Sequence, residues 1–177
     1  MSQTACARSL TLGGNGVLLK SSDMRTEYEI LPVEGAEALA QVRALFEEYW
    51  SSFGFTPCFQ NFGDELAGLP GAYAPPNGRL AIARVSSDPA GCIALRRMDA
   101  QRVEAKRLYV RPVFRGLGLG RALMQWAAAE ARAAGYSEIV GDSMPVMREA
   151  LSLYEQLGFE IGDPSAADGK IDLRLIL

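Results

Sequence analysis

The chain has 177 residues, 49% of them hydrophobic and 22% charged, with a net charge of −3, which predicts one ordinary globular domain with a core large enough to need no staples. No run approaches the ~20 apolar residues that span a bilayer, and SLTLGGNGVLL near the start has neither a basic flank nor a cleavage site, so a cytoplasmic address with no membrane partner is expected. The absence of histidine excludes Ser-His-Asp hydrolysis, His-based metal sites and a His-activated cysteine; Cys6, Cys58 and Cys92 lack metal-like spacing and read as inert thiols.

Residues 1–25 show no sustained periodicity and carry GGNG, which predicts a flexible extension before a domain over 26–177. TEYEILPV (26–33) alternates as a first strand, and Leu39, Val42, Leu45, Phe46 and Tyr49 recur at helical spacing to about Ser51. FQNFGDELAGLPG predicts a shorter helix, and AYAPPNG a proline-rich turn. RLAIARV (79–85), GCIALRRM (91–98) and RVEAKRLYV (102–110) follow with connections short enough for antiparallel neighbours. A helix then runs from Leu119 to a C-terminal stop at Gly135, and SEIVGD (137–142) returns as a strand, which makes a right-handed βαβ unit. A last helix starts near Pro145 and stops at Gly158, and KIDLRLIL closes the chain as a strand.

Charge is unevenly distributed. From Arg96 to Arg121 eight basic residues face only Asp99 and Glu104, so this window carries +6 and the remainder −9. A confined patch on an acidic protein suits a small polyanion better than nucleic acid, or else is a solvated strand-and-turn face. Within it, RPVFRGLGLGRAL places Gly116, Gly118 and Gly120 between Arg115 and Arg121 at the start of a helix. Glycines permit positive φ and close approach, and the unbonded amides of a first helical turn attract anions. The stretch is therefore a phosphate site or a bare structural turn. It is not a dinucleotide fingerprint, because the third glycine position holds Arg121, and it is not a P-loop.

RLYVRPVFRGLGLGRALMQWA, with ALSLYEQLGF about thirty residues later, resembles the GNAT superfamily of N-acetyltransferases, whose motif [RQ]-x-x-G-x-[GA] is met by Arg115, Gly118 and Gly120. DELAGLPGAYAPPNGRLAIA and DSMPVMREALSLYEQLGF are further similar to a bacterial acetyltransferase branch. The resemblance covers about 26–177. It implies an α/β (α+β) fold with a mixed, mostly antiparallel sheet of six to seven strands, about four helices and a central βαβ unit. It also implies acetyl-CoA as co-substrate, its pyrophosphate held by the amides of Gly116, Leu117, Gly118, Leu119, Gly120 and Arg121, and its pantetheine arm by the backbone of Leu108 and Val110. The reaction implied is acetyl transfer to an amine of a small molecule or peptide by direct attack in a ternary complex; a non-catalytic acyl-CoA-binding or regulatory protein of the same fold is the alternative.

Such a transfer needs a proton acceptor for the amine and a proton donor for the leaving thiolate. Glu104 occupies the place of the catalytic glutamate of histone-type members, or else forms a surface pair with Lys106. Ideal alternation puts Glu104 on one face with Lys106, Leu108 and Val110 unless a bulge intervenes. Tyr154 matches the family's general acid, or else is a core aromatic on an apolar stripe. Met147 stands where many members have asparagine. Asp142 reads as a contact for a cationic acceptor or as a turn residue. Tyr49, Trp50, Phe53, Phe55 and Phe59, with Glu47 and Glu48, could receive an acceptor, but core packing explains them better. No interface for a homodimer is visible, although one is compatible with the sequence.

Overall fold

The computed structural model describes residues 27–52, 62–163 and 169–177. The expected N-terminal extension, Cys6, Cys58, Phe53, Phe55 and Phe59 lie outside the described residues. Strands β1 (Tyr28–Pro32), β2 (Arg79–Val85), β3 (Asp88–Arg97), β4 (Arg102–Val110), β5 (Glu138–Ser143), β6 (Glu160–Ile161) and β7 (Ile171–Ile176) form one sheet in the order β1-β2-β3-β4-β5-β7-β6. Helices α1 (Gly35–Ser51), α2 (Phe62–Ala67), α3 (Leu119–Ala133) and α4 (Arg148–Gln156) accompany it. Only β4 and β5 pair in parallel, and α3 connects them. The expected mixed sheet with a central βαβ unit is therefore present.

Period-two alternation divides each inner strand between two cores. Ala81, Ala83, Ile93, Leu95, Val103 and Ile139 pack on the α3 side, with Leu123, Met124 and Ala127 from the helix. Leu80, Ile82, Cys92, Ala94 and Tyr109 face the other way, onto Val42, Leu45, Phe46 and Trp50 of α1 and Phe62 of α2. Removing any of the fully buried leucines or phenylalanines costs roughly 2–5 kcal/mol.

Four local features differ from the sequence reading. β3 begins at Asp88, because Ser86 (φ 48°) and Ser87 (φ 75°) both adopt left-handed backbone and close a two-residue hairpin. α4 begins at Arg148 instead of near Pro145. A two-residue strand, β6, follows α4. A bulge in β4 opposes Arg107 and Leu108 to Ile93 alone, since Cys92 pairs with Tyr109 and Ala94 with Lys106. Arg107 takes φ 58° there.

That bulge corrects the expected parity. Leu108 and Val110 pack on the α3 side with Ala105, whereas Arg107 lies over Tyr49, Trp50 and Phe62 on the α1 side. Glu104 and Lys106 are thus on the opposite face from Leu108 and Val110.

Candidate active site

The site begins with a fork. β4 and β5 pair only from Arg102 to Glu104 against Glu138 to Val140. Beyond Glu104, the β5-facing edge of β4 has no strand partner among the described residues as far as Val110, so the backbone around Leu108 and Val110 is open to an added extended ligand. Gly141 sits at the base of the opening, where a Cβ would come within 3.3 Å of the Ala105 carbonyl.

Directly after β4, Pro112–Phe114 form one 3-10 turn and the chain enters α3 through two left-handed glycines, Gly116 (φ 80°) and Gly118 (φ 82°). Gly118 is the N-cap, and the first bond of the helix runs from the Ala122 amide to its carbonyl. The amides of Gly116, Leu117, Gly118, Leu119, Gly120 and Arg121 have no hydrogen-bond acceptor among the described residues. Gly120 serves packing instead of conformation: a Cβ there would lie 3.2 Å from Leu153 of α4.

Most of the basic window is paired, partly with its own two acids and partly with acids from elsewhere in the chain. Arg96 and Lys106 pair with Glu104, Arg102 with Asp99, Arg107 with Glu65 and Arg111 with Glu48. Arg97, Arg115 and Arg121 have no carboxylate partner among the described residues; Arg115 Nε donates to the Val110 carbonyl (3.2 Å) and Arg121 Nη2 to Gln156 (2.6 Å). Two of the three cations left over therefore flank the row of open amides, which is the arrangement an anion needs.

Tyr154 is set by the end of α4. Gly158 (φ 86°) takes the C′ position, the Phe159 amide bonds back to the Tyr154 carbonyl (3.0 Å), and the two rings stand 5.2 Å apart. This closing motif holds both ends of Tyr154. Its ring joins the α3-side core, yet its hydroxyl has no hydrogen-bond partner among the described residues. Burial, with a smaller contribution from the Asp142 carboxylate, pushes that hydroxyl well above its ordinary value of 10.0, so it stays protonated.

Glu104 is buried and doubly engaged, with Arg96 Nε on Oε2 and Lys106 Nζ on Oε1 at 3.2 Å. Lys106 also lies 4.0 Å from Asp142 across the fork, and Lys170 lies 3.6 Å from the same carboxylate. The Glu104–Lys106 pair is legible in the sequence, but the rest of this ladder of charges is not, because its other members come from β3, β5 and the residue before β7.

A second polar group fills the α1 side. Arg107 Nε donates to Glu65 Oε1 (2.9 Å), Nη2 binds Oε2, and Tyr73 donates to Oε1 (2.6 Å). The guanidinium lies 5.3–5.8 Å from the ring centres of Phe62, Trp50 and Tyr49. Cys92, beneath it, is a free buried thiol that donates to the Arg107 carbonyl (3.4 Å), and burial pushes its pKa up, as an inert thiol requires. Glu48 holds Arg111 through two bonds of 2.8 and 2.6 Å. No cluster suited to a metal ion occurs, and no helix is long and apolar enough to cross a membrane, among the described residues.

A forked mixed sheet leading to an open, cation-flanked helix start defines the acetyltransferase class. Residues 76–161 match the model of the acetyltransferase (GNAT) domain. An uncharacterised N-acetyltransferase of Schizosaccharomyces pombe is 35% identical over 149 residues, spanning 83% of this chain and 89% of that protein. The fold is similar to an acetyltransferase from Streptococcus agalactiae, with a TM-score of 0.72 and 24% identity over 85% of this chain and 98% of that one. It is also similar to a PaiA N-acetyltransferase of Thermoplasma acidophilum in complex with coenzyme A, with a TM-score of 0.66 and 17% identity over 86% and 100% of the two chains. The chain belongs to the GNAT family, and as a member it is an acetyltransferase with acetyl-CoA as co-substrate.

Proposed function

We propose that the protein transfers the acetyl group of acetyl-CoA to an amine of a small molecule or peptide by direct attack in a ternary complex. The observation that carries this reading is the row of open amides from Gly116 to Arg121, with Arg115 and Arg121 beside it, directly following the unpaired edge of β4. A pyrophosphate suits the amides and the two cations, and the amide-bearing pantetheine arm suits the backbone of Leu108 and Val110.

Tyr154 then acts as the acid. It carries a proton at neutral pH, its hydroxyl is not committed to another of the described residues, and a thiolate leaving group needs that proton. Glu104 can take the amine's proton only at an oxygen that already accepts a hydrogen bond. The acceptor approaches from the α1 side of the fork, where Tyr49 stands near Arg107. The test is product analysis: acetyl-CoA is incubated with a panel of amines, and mass spectrometry must find an acetylated amine formed in proportion to free CoA. Acetyl-CoA bound without any acetylated product would instead support a non-catalytic acyl-CoA-binding role.

A further inference from the structure

An amine attacking a thioester must lose a proton, and the two carboxylates at the fork differ in their freedom to take it. Both oxygens of Glu104 accept hydrogen bonds, and its side chain is only 10% exposed. Asp142 accepts no hydrogen bond among the described residues, and its side chain is 34% exposed. Its two lysine neighbours, at 4.0 and 3.6 Å, hold the carboxylate in place from beyond hydrogen-bonding distance. Asp142 also lies two residues past Val140, the last β5 residue paired with β4, so it stands on the open arm of the fork. Gly141 and Ser143 on either side of it turn to the other face, where Ser143 bonds Met147 (3.7 Å).

We propose that Asp142, not Glu104, takes the proton from the attacking amine. The inference rests on the transfer reaction proposed above. As the amine nitrogen bonds to the thioester carbonyl carbon, one N–H proton passes to the Asp142 carboxylate. The carbon–sulfur bond then breaks with its electron pair on sulfur, and sulfur takes the Tyr154 hydroxyl proton. Exposed Asp142 gives its proton to solvent and Tyr154 regains one from solvent, so the sum is amine plus thioester to amide plus thiol. The groups facing Asp142 are Lys106 from β4, Lys170 before β7 and Asp172 directly across on β7, with Glu104 beyond Lys106. Tyr49 of α1 and Tyr154 of α4 lie within electrostatic reach: burial raises both hydroxyls, and the Asp142 charge adds to it.

The experiment compares the wild type with D142N, D142E and E104Q in thiol release from acetyl-CoA, using the fastest acceptor among phenethylamine, spermidine, L-methionine and a lysine-containing peptide. General-base catalysis is worth about 10²–10⁴-fold, so D142N should lose roughly 100-fold or more in kcat. D142N should also lose the acid limb of the kcat/KM profile while its acetyl-CoA affinity by calorimetry is retained. D142E should recover part of the rate with the limb, and E104Q should keep the limb. A D142N enzyme within about threefold of wild type, or loss of the acid limb in E104Q instead, overturns the role of Asp142 alone. A wild type that releases no thiol with any of the four amines overturns the transfer reaction itself, and this assignment with it.

Discussion

Arg107 and Glu65 form a two-point ion pair that ties α2 to the bulge of β4, with Nε 2.9 Å from Oε1 and Nη2 on Oε2. The pair is desolvated on the arginine side, where the side chain is 7% exposed against 19% for the glutamate, and Tyr73 supplies a third bond to the carboxylate. It fixes Arg107 in left-handed backbone, a conformation that costs an ordinary residue about 1–2 kcal/mol.

Removing one partner of such a buried pair should be expensive. R107A should lose about 3 kcal/mol in urea unfolding, because the half-buried Glu65 carboxylate loses its charge partner and keeps only the Tyr73 hydroxyl, while alanine retains the backbone strain. R107G removes the same charge without the strain and should be more stable than R107A by about 1 kcal/mol. Equal stability of the two variants would show that the φ of 58° is not maintained in solution.

The same pair sets a pH response. Burial alone would raise the Glu65 carboxyl, but hydrogen bonds from Arg107 and Tyr73 outweigh it and hold the group below its ordinary 4.5. A depressed carboxyl stabilises the fold fully above its unfolded value, and that contribution is lost as pH falls through the lower folded value. Stability should therefore decline as pH drops below about 4.5, and E65Q should show a shallower decline over that range in urea titrations at stepped pH.

The loop glycines should separate by mechanism. G118A meets no atom within 4 Å but must hold φ 82°, so it should cost about 1–2 kcal/mol and disturb the amides proposed to receive the pyrophosphate. G120A keeps ordinary helical backbone and only presses a flexible leucine end, Leu153 Cδ2, at 3.2 Å, so its loss should stay below about 1 kcal/mol. Unfolding melts together with calorimetric titration of CoA check both, with the larger loss of affinity expected in G118A.

Arg115 and Arg121 should act through charge. R115Q and R121Q should each weaken CoA binding roughly three- to tenfold at low salt, because exposed charge-assisted contacts are worth about 1 kcal/mol. The double variant should lose most of the salt dependence of binding. CoA, and not NADPH, should raise the melting temperature of the wild type, as expected for a loop that lacks the dinucleotide spacing.

Much of this arrangement is legible in the sequence because local chemistry dictates it. β2 and β4 fall at their predicted residues, and Gly135 and Gly158 end their helices at φ 86° as expected. The helix start at Gly118 follows from its glycines, and the βαβ unit from the length of one helix between two strands. What the sequence conceals is long-range. The bulge at Arg107 depends on Glu65, 42 residues away, and it reverses the face of every β4 residue that follows. The basic window looks freer than it is because three of its five carboxylate partners, Glu48, Glu65 and Asp142, come from α1, α2 and β5. Ser86 and Ser87 carry no glycine or asparagine signal for the left-handed turn they make.

The proposed amine-directed acetyl transfer with Tyr154 as the acid is decided by thiol release from acetyl-CoA, measured with and without amine in the wild type and Y154F. Release in the wild type should require an amine, kcat should fall about 10²-fold or more in Y154F, and the variant should retain its acetyl-CoA affinity. Amine-dependent release by Y154F at the wild-type rate, or acetyl-CoA binding with no release across the whole amine panel, would contradict it.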